Sequence, residues 1–224
     1  MNSIQAVSYF VHFDEKGYQE LNALIQEKKY SSIFVLVDEN SHEYCYPRFI
    51  QQLQTTAPIE IIEIESGEEN KTIQTCEGVW NALSDLDADR KSLLINIGGG
   101  VITDLGGFVA CTFKRGIAYV NVPTTLLSMV DASVGGKTGV DLGHLKNQIG
   151  VISNPDLVLI DTNYLDTLPK NQMRSGLAEM LKHGLITGES YWNNFTNLSE
   201  LKLDNLDELI YESVVIKKNV VEED

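Results

Sequence analysis

The run Asp131-Ala-Ser-Val-Gly-Gly-Lys-Thr-Gly139 sets a carboxylate, a glycine pair and a lysine close together, just after Val122-Pro-Thr-Thr125. Paired glycines let a backbone approach a ligand closely, and an adjacent ammonium supplies positive charge, so the segment reads as a phosphate or carboxylate site. It is not a nucleotide P-loop. That pattern needs a glycine five residues before Gly136, and Asp131 stands there with a charge that would oppose phosphate.

A second glycine cluster lies upstream. Residues 93–97 read as a buried strand, Gly98-Gly-Gly100 breaks it, and apolar spacing suited to a helix resumes from about Ile102. A glycine turn feeding a helix start leaves N–H groups free at its positive end, an arrangement that binds a dinucleotide pyrophosphate or another anion. The G-x-G-x-x-G spacing fails because Thr103 occupies the third glycine position. On this motif alone, a tight strand-to-helix connection is as good an explanation as a nucleotide site.

Elsewhere, Glu179 shares one helical face with Lys182 and His183. A Glu–His pair one turn apart is able to ligate a metal, yet H-E-x-x-H is absent and exposed surface pairs are commoner. Lys137 and Lys146 flank one glycine-rich loop in a chain with only 17 Lys and Arg, and Glu68 with Lys71 forms a cluster at a strand end suited to ribose or phosphate.

The elements that must position these residues alternate. Short apolar or β-branched runs occur at 6–13, 33–37, 59–64, 93–97, 118–122 and 157–160, with helical patterns at 17–28 and 71–86 between them. This predicts an α/β fold, a Rossmann-like and mostly parallel sheet covered on both faces. From Met173 onward helical periodicity dominates, through Leu177, Met180 and Leu181 and then Leu206, Leu209, Ile210 and Val214. The expected organisation is an α/β domain at 1–168 and the start of an α-helical domain at 169–224. The final amphipathic pattern has little left to pack on, which implies a truncated or partner-completed domain, the alternative being a helix docked on the first domain.

Composition narrows the partners. The 224 residues are 43% hydrophobic and 22% charged, as in globular proteins. A formal net charge of -15 repels nucleic acid and anionic membranes, so an anionic ligand must be captured by local lysines. Cys45, Cys76 and Cys111 give an odd count without C-x-x-C, which suggests neither a disulfide framework nor a thiolate zinc site and points to a reducing, cytoplasmic setting. There is no basic n-region with a cleavage site near the start, and five glycines with Asp104 argue against a spanning helix at 93–113.

Taken together, Gly98-Gly-Gly-Val-Ile-Thr-Asp-Leu-Gly-Gly107, Lys114-Arg-Gly116, Val122-Pro-Thr-Thr-Leu-Leu127, Val130 to Gly139, Lys146-Asn-Gln-Ile-Gly150 and Gly176-Leu-Ala-Glu-Met-Leu-Lys182 closely resemble the 3-dehydroquinate synthase family in order and spacing. The resemblance implies an NAD- and divalent-metal-dependent cyclase of the shikimate pathway, with zinc expected and cobalt an alternative. Such an enzyme converts 3-deoxy-D-arabino-heptulosonate 7-phosphate to 3-dehydroquinate and phosphate. By motif, Gly100, Val101, Ile102, Thr103, Asp104, Thr124, Thr125, Lys137 and Lys146 would meet NAD, with Asp38, Glu68, Lys71, Tyr164, Leu165, Asp166 and Thr167 as further contacts. Asp131, Asn147, Lys182 and Lys217 would meet the sugar phosphate, and Lys137 would reach it too. Glu179 would be a metal ligand, and Arg115 would reach the substrate phosphate in the neighbouring subunit of a homodimer.

Two departures qualify the resemblance. Leu145 stands where the family usually has glycine, which shifts that loop. The family's two zinc histidines follow a Val-Val-x-x-Asp segment that here is Val220 to Asp224, and none of His12, His42, His144 or His183 matches them. A catalytic zinc needs about three protein ligands, so the expectation is an N-terminal portion that binds NAD without turnover. The competing readings are a noncatalytic nucleotide-binding or assembly module and a metal-dependent polyol dehydrogenase.

Overall fold

The computed structural model describes residues 1–195 and 206–223. In chain order the elements are β1 (Ile4–Gln5), β2 (Phe10–Phe13), α1 (Asp14–Lys28), β3 (Ile33–Asp38), α2 (Glu39–Tyr44), α3 (Tyr46–Gln52), β4 (Ile59–Ile64), α4 (Ile73–Asp85), β5 (Leu93–Gly98), α5 (Gly100–Thr112), β6 (Ala118–Pro123), β7 (Lys137–Leu142), β8 (Leu145–Ile152), β9 (Leu157–Ile160), α6 (Lys170–Thr187), α7 (Glu189–Trp192) and α8 (Leu206–Glu223). No helix among the described residues is long and apolar enough to cross a membrane.

Seven strands form one sheet in the order β1-β2-β9-β6-β5-β3-β4, parallel throughout except for the β1–β2 pair. The central strands are continuous apolar runs because both faces are covered. Along β3, Ile33, Val35 and Val37 join the core beneath α1, while Phe34 and Leu36 join a second core with Cys76, Val79 and Leu83 of α4 and Leu105 and Val109 of α5. The chain leaves β3 toward β4 on one side and returns to β5 on the other, so the order reverses between β3 and β5. In open α/β sheets a ligand crevice forms at the carboxyl ends of the strands at such a reversal.

Three expectations are corrected. The last helix is not left without a partner: Leu206, Leu209, Ile210 and Val214 of α8 are buried in the same core as β2, β9 and α6. The rings of Tyr211 and Phe13 lie 5.5 Å apart, so α8 docks on the sheet. Asp224, the end of the Val-Val-x-x-Asp segment, lies outside the described residues. The glycine-rich stretch after Asp131 is also not simply a loop, because Lys137 pairs with Ile152 and Gly139 with Gly150 in the antiparallel β7–β8 hairpin. The first apolar run is shortened too: of 6–13 only Phe10–Phe13 is strand, and β1 lies before the run.

Candidate functional site

A cleft of about 680 Å³ opens at the carboxyl ends of β3, β5 and β6. That volume suits a cofactor-sized ligand. Its floor is the turn from β5 into α5. Gly99 is the N-cap of α5 and offers no side-chain hydrogen bond, so the first N–H groups of the helix face the cleft uncapped. A side chain at Gly99 would put Cβ 3.1 Å from Thr125 Cγ2, so the turn stays bare because glycine occupies it.

The walls come from the other strand ends. Asp38 at the end of β3 accepts from the Ser41 N–H at 2.7 Å, while Ser41 Oγ accepts from the Asp38 N–H, a reciprocal cap that fixes the carboxylate at the rim. Thr124 N–H donates to the Gly98 carbonyl at 2.9 Å, and Thr125 and Ser128 cap one another, holding the loop after β6 beside the floor. Tyr164 and Thr167 close the far side. Their turn is anchored by buried Asp161, which accepts from Tyr18 Oη and Arg48 Nε at 2.8 Å and from Asn163. Burial pushes the Asp161 carboxyl upward, but the bonds from Arg48, Asn163 and Tyr18 outweigh it and leave the group below the usual carboxylate range.

Of the residues expected to meet a cofactor, Asp38, Glu68, Lys71, Gly100, Val101, Asp104, Thr124, Thr125, Tyr164 and Thr167 line this cleft. Ile102 and Leu165 have side chains buried in the cores, Thr103 is buried with its hydroxyl donating to the Gly99 and Gly100 carbonyls, and Asp166 is exposed away from the lining. Lys137 is exposed at the start of β7, while Lys146 Nζ reaches Glu68 Oε1 at 3.0 Å on the rim. Lining residues without a warning in the sequence include Ser66, Asn171 and Gln172.

Lys71 is the most constrained of these groups. Its side chain is only 5% exposed, and Nζ donates to Asp104 Oδ2 at 2.6 Å and to Asn147 Oδ1 at 2.7 Å. The hairpin is tied to the cleft wall through this residue, since Asp141 N–H donates to the Lys71 carbonyl and Asn147 N–H to Asp141 Oδ1. Burial pushes Asp104 up to about 6, against the opposing pull of Lys71.

At the inner end of the cleft lies a polar cluster. The chain after β6 forms a widened π-type turn, Ser128–Ala132, that carries Asp131; such turns occur often at functional sites. Helix α6 crosses it closely enough that a Cβ on Gly176 would lie 2.4 Å from Leu126 Cβ, which brings Glu179 and His183 up to Asp131. Donor atoms of Asp131, Glu179 and His183 all lie within 4.8 Å of one another. Asp131 Oδ1 and Glu179 Oε1 are buried and accept no hydrogen bond, although Lys217 Nζ is 2.6 Å from the former and Lys182 contacts the latter. Burial holds His183 below the usual imidazole range, which favours the neutral ring a metal requires. Two carboxylates beside a neutral imidazole are donor types a divalent transition metal accepts, although here Lys217 and Lys182 pair with the two carboxylate oxygens.

Of the expected substrate residues, Asp131, Lys182 and Lys217 meet at this cluster, whereas Asn147 is held by Lys71 on the cleft wall and Lys137 is exposed at the start of β7. Arg115 does not converge. It follows the C-terminal end of α5, about 20 Å from the helix start at 1.5 Å per residue, so it cannot serve the cleft of its own chain.

Comparison with known proteins bears on the whole arrangement. Residues 61–175 match the family model of the 3-dehydroquinate synthase N-terminal domain, and residues 176–224 match that of the C-terminal domain. The chain belongs to the 3-dehydroquinate synthase family. A 3-dehydroquinate synthase of Parabacteroides distasonis is 42% identical over 210 residues, covering 92% of this chain and 58% of the relative. A 2-deoxy-scyllo-inosose synthase solved with carbaglucose-6-phosphate, NAD+ and Co2+ superposes with a TM-score of 0.83 at 25% identity, over 98% of this chain and 63% of that one. The 2-epi-5-epi-valiolone synthase of Streptomyces hygroscopicus subsp. jinggangensis 5008, solved with NAD+ and Zn2+, gives 0.80 at 26% identity, over 96% and 62%. The chain thus spans less than two thirds of the length of these synthases.

Proposed function

We propose that this protein is a 3-dehydroquinate synthase, converting 3-deoxy-D-arabino-heptulosonate 7-phosphate to 3-dehydroquinate and phosphate with NAD and a divalent metal, zinc or cobalt. The observation that carries the reading is the continuity of two sites. A bare helix N-terminus lies at the sheet's order reversal, and a carboxylate–imidazole cluster reaches the same cleft through Asp131. Relatives solved with NAD+ and Co2+ or Zn2+ support both halves.

In this reading the N–H groups of Gly100, Val101 and Ile102 hold the pyrophosphate. Asp38 takes ribose hydroxyls, as an acidic residue at a strand end does in dinucleotide folds. Thr103, Asp104, Thr124, Thr125 and the turn Tyr164, Leu165, Asp166, Thr167 complete the cofactor contacts, with Ile102, Thr103 and Leu165 contributing through their backbone. Glu68, Lys71, Lys137 and Lys146 add polar contacts around the rim. Glu179 holds the metal. When bound, NAD takes and returns one hydride while the metal polarises the reacting hydroxyl, so the reaction has no net redox change.

The remaining work falls to side chains. Lys182 and Lys217 neutralise the substrate's anionic groups, as does Lys137, and positive charge beside a departing phosphate lowers its barrier. Asn147 has its amide oxygen committed to Lys71, so its NH2 group is the end available to a hydroxyl. Asp131 orients a second hydroxyl. Arg115 acts in the cleft of a neighbouring copy in a homodimer. Residues 1–168 form the NAD domain and 169–224 belong to the metal and substrate domain. Three unpaired thiols fit a reducing compartment such as the cytoplasm.

The test is calorimetric titration of the chain with NAD, alongside Gly100→Asp, which places a carboxylate at the helix start. Saturable binding lost in the variant supports the reading. Absent binding, or binding indifferent to the variant, overturns it, and net NADH accumulation with a simple polyol would indicate a dehydrogenase instead.

A further inference from the structure

Lys146 and Asn147, the two residues that the β7–β8 hairpin turns toward the cleft, are ones its ladder does not pair. Val140 pairs with Ile149 and Leu142 with Leu145, so Asp141 alone stands opposite three residues, Lys146, Asn147 and Gln148. An excess of this kind is a bulge, which leaves residues unpaired and re-aims their side chains. Here it brings Lys146 Nζ within 3.0 Å of Glu68 Oε1, and Asn147 Oδ1 within 2.7 Å of Lys71 Nζ. Glu68 and Lys71 both line the cleft.

Packing does not shape the bulge. Lys146, Asn147 and Gln148 are exposed, and Asn147 has φ of +54°, a left-handed conformation that asparagine tolerates but does not enforce. Polar bonds must therefore select it, and Asp141 supplies them on two sides. Its Oδ1 accepts the Asn147 N–H at 2.7 Å, in place of the ladder bond that the bulge forgoes. Its own N–H donates to the Lys71 carbonyl at 2.9 Å, and it bridges to Thr72 in parallel fashion, which fixes it to the cleft wall. Asp141 itself lies outside the cleft lining.

We propose that Asp141 is a positioning residue, which holds the bulge at 146–148 so that Lys146 faces the cofactor and Asn147 the substrate as one unit. This rests on the reading of Lys146 and Asn147 as cofactor and substrate contacts, and adds the residue that sets where both stand. It acts through the bulge alone, because its carboxylate is directed at a backbone N–H and not into the cleft.

The experiment is calorimetric titration of the 224-residue chain with NAD, alongside amide hydrogen exchange at Asn147 by NMR. Asp141→Ala removes the acceptor, whereas Asp141→Asn keeps an acceptor oxygen in the same place without the charge. We expect the Asn147 N–H to be protected in the wild type and in Asp141→Asn, and to exchange freely in Asp141→Ala. NAD binding should weaken in Asp141→Ala by no more than the roughly tenfold of Lys146→Ala, and recover in Asp141→Asn. Combined with Lys146→Ala, Asp141→Ala should weaken NAD binding by less than about twofold further, since its effect passes through that lysine. If Asp141→Ala fails to fold, Asp141→Glu keeps the charge, displaces the acceptor by one methylene and should weaken NAD in the same way.

Wild-type affinity in Asp141→Ala or Asp141→Glu, with Lys146→Ala weakened, overturns the proposal and leaves the cofactor reading standing. Losses in Asp141→Asn equal to those in Asp141→Ala, or losses that multiply in the double variant, also overturn it. If the wild-type chain binds no NAD, or if Lys146→Ala binds it as tightly as the wild type, the reading of Lys146 itself fails and this proposal with it.

Discussion

Replacing Lys71 with methionine keeps the volume of the stem and removes its charge, so it isolates what the buried ammonium does. Lys71 Nζ is shared by Asp104 Oδ2 at 2.6 Å and Asn147 Oδ1 at 2.7 Å, and the Lys71 and Asp104 side chains are 5% and 19% exposed. Breaking a buried pair by removing one partner costs about 3–5 kcal/mol. Here that cost depends on pH. Asp104 is pushed up to about 6 by burial, above the roughly 3.9 of an unfolded aspartate. Its contribution therefore favours folding below about pH 4 and is lost as pH rises through about 6. Without Lys71 the folded-state value rises further. The variant keeps binding a proton where the wild type has released it, and so loses stability relative to wild type at about 1.4 kcal/mol per pH unit over that window. Urea unfolding should show Lys71→Met destabilised by about 3–5 kcal/mol at pH 8. At pH 5, with Asp104 protonated in both proteins, the loss should shrink to about 1–2 kcal/mol, the worth of the hydrogen bonds alone. Adding Asp104→Asn should recover part of the loss at pH 8, because no charge is then left unpaired. An equal loss at both pH values, or a larger one at pH 5, would refute the reasoning.

Gly136 has φ of +67°, and a Cβ there would lie 2.3 Å from Asn154 Oδ1 and 3.0 Å from the Ser153 carbonyl oxygen. Gly136→Ala should cost about 1–3 kcal/mol, read as a lowered Tm, and an unchanged Tm would mean the turn relaxes freely. Asp161 lies below the usual carboxylate range, so its stabilisation is present above about pH 4 and lost as pH falls through its folded value. Asp161→Asn should destabilise the protein at neutral pH and flatten the acid limb of stability, which thermal melts from pH 3 to 7 would detect. Lys146 pairs with Glu68 on the exposed rim. Lys146→Ala should leave Tm unchanged while weakening NAD binding on the order of tenfold, the effect of one charge-assisted contact; equal NAD titrations would remove Lys146 from the cofactor site.

The central strands were legible because burial on both faces leaves a plain signature, and 33–37, 93–97 and 118–122 each fall within an observed strand. The glycine turn into α5 was legible for a similar reason, although the helix begins at Gly100 and not at Ile102. Apolar periodicity cannot register a first turn built from glycine and valine. The β7–β8 hairpin was not legible: residues 145–152 are exposed or half-buried almost throughout, so no alternation marks a strand. What holds it is tertiary, namely contact with α5 and the bonds through Lys71 and Asp141. Within the site, Glu179 and His183 were visible as one helical face. Their burial was not, since it depends on Ser213 thirty residues away and on the turn carrying Asp131. Lys71 was read as a cofactor contact from its place after Gly67, yet no local pattern reveals that two of its donors are already committed.

The crossing at Gly176 sets the spacing between the two halves of the chemistry. A Cβ there would lie 2.4 Å from Leu126 Cβ and 2.8 Å from the Leu127 backbone nitrogen, so α6 rests almost directly on the chain that continues from Thr124 and Thr125. The distance from Thr124 and Thr125 to Glu179 is then set by the α6 backbone resting on the root of the Leu126 side chain and on the Leu127 main chain. A contact this close to both backbones has little slack, so the site behaves as a rigid gauge. Hydride transfer tolerates only small errors in donor–acceptor distance. On the proposed function, enlarging residue 176 by a single methyl would therefore shift the reacting atoms from a position remote from both ligand sites.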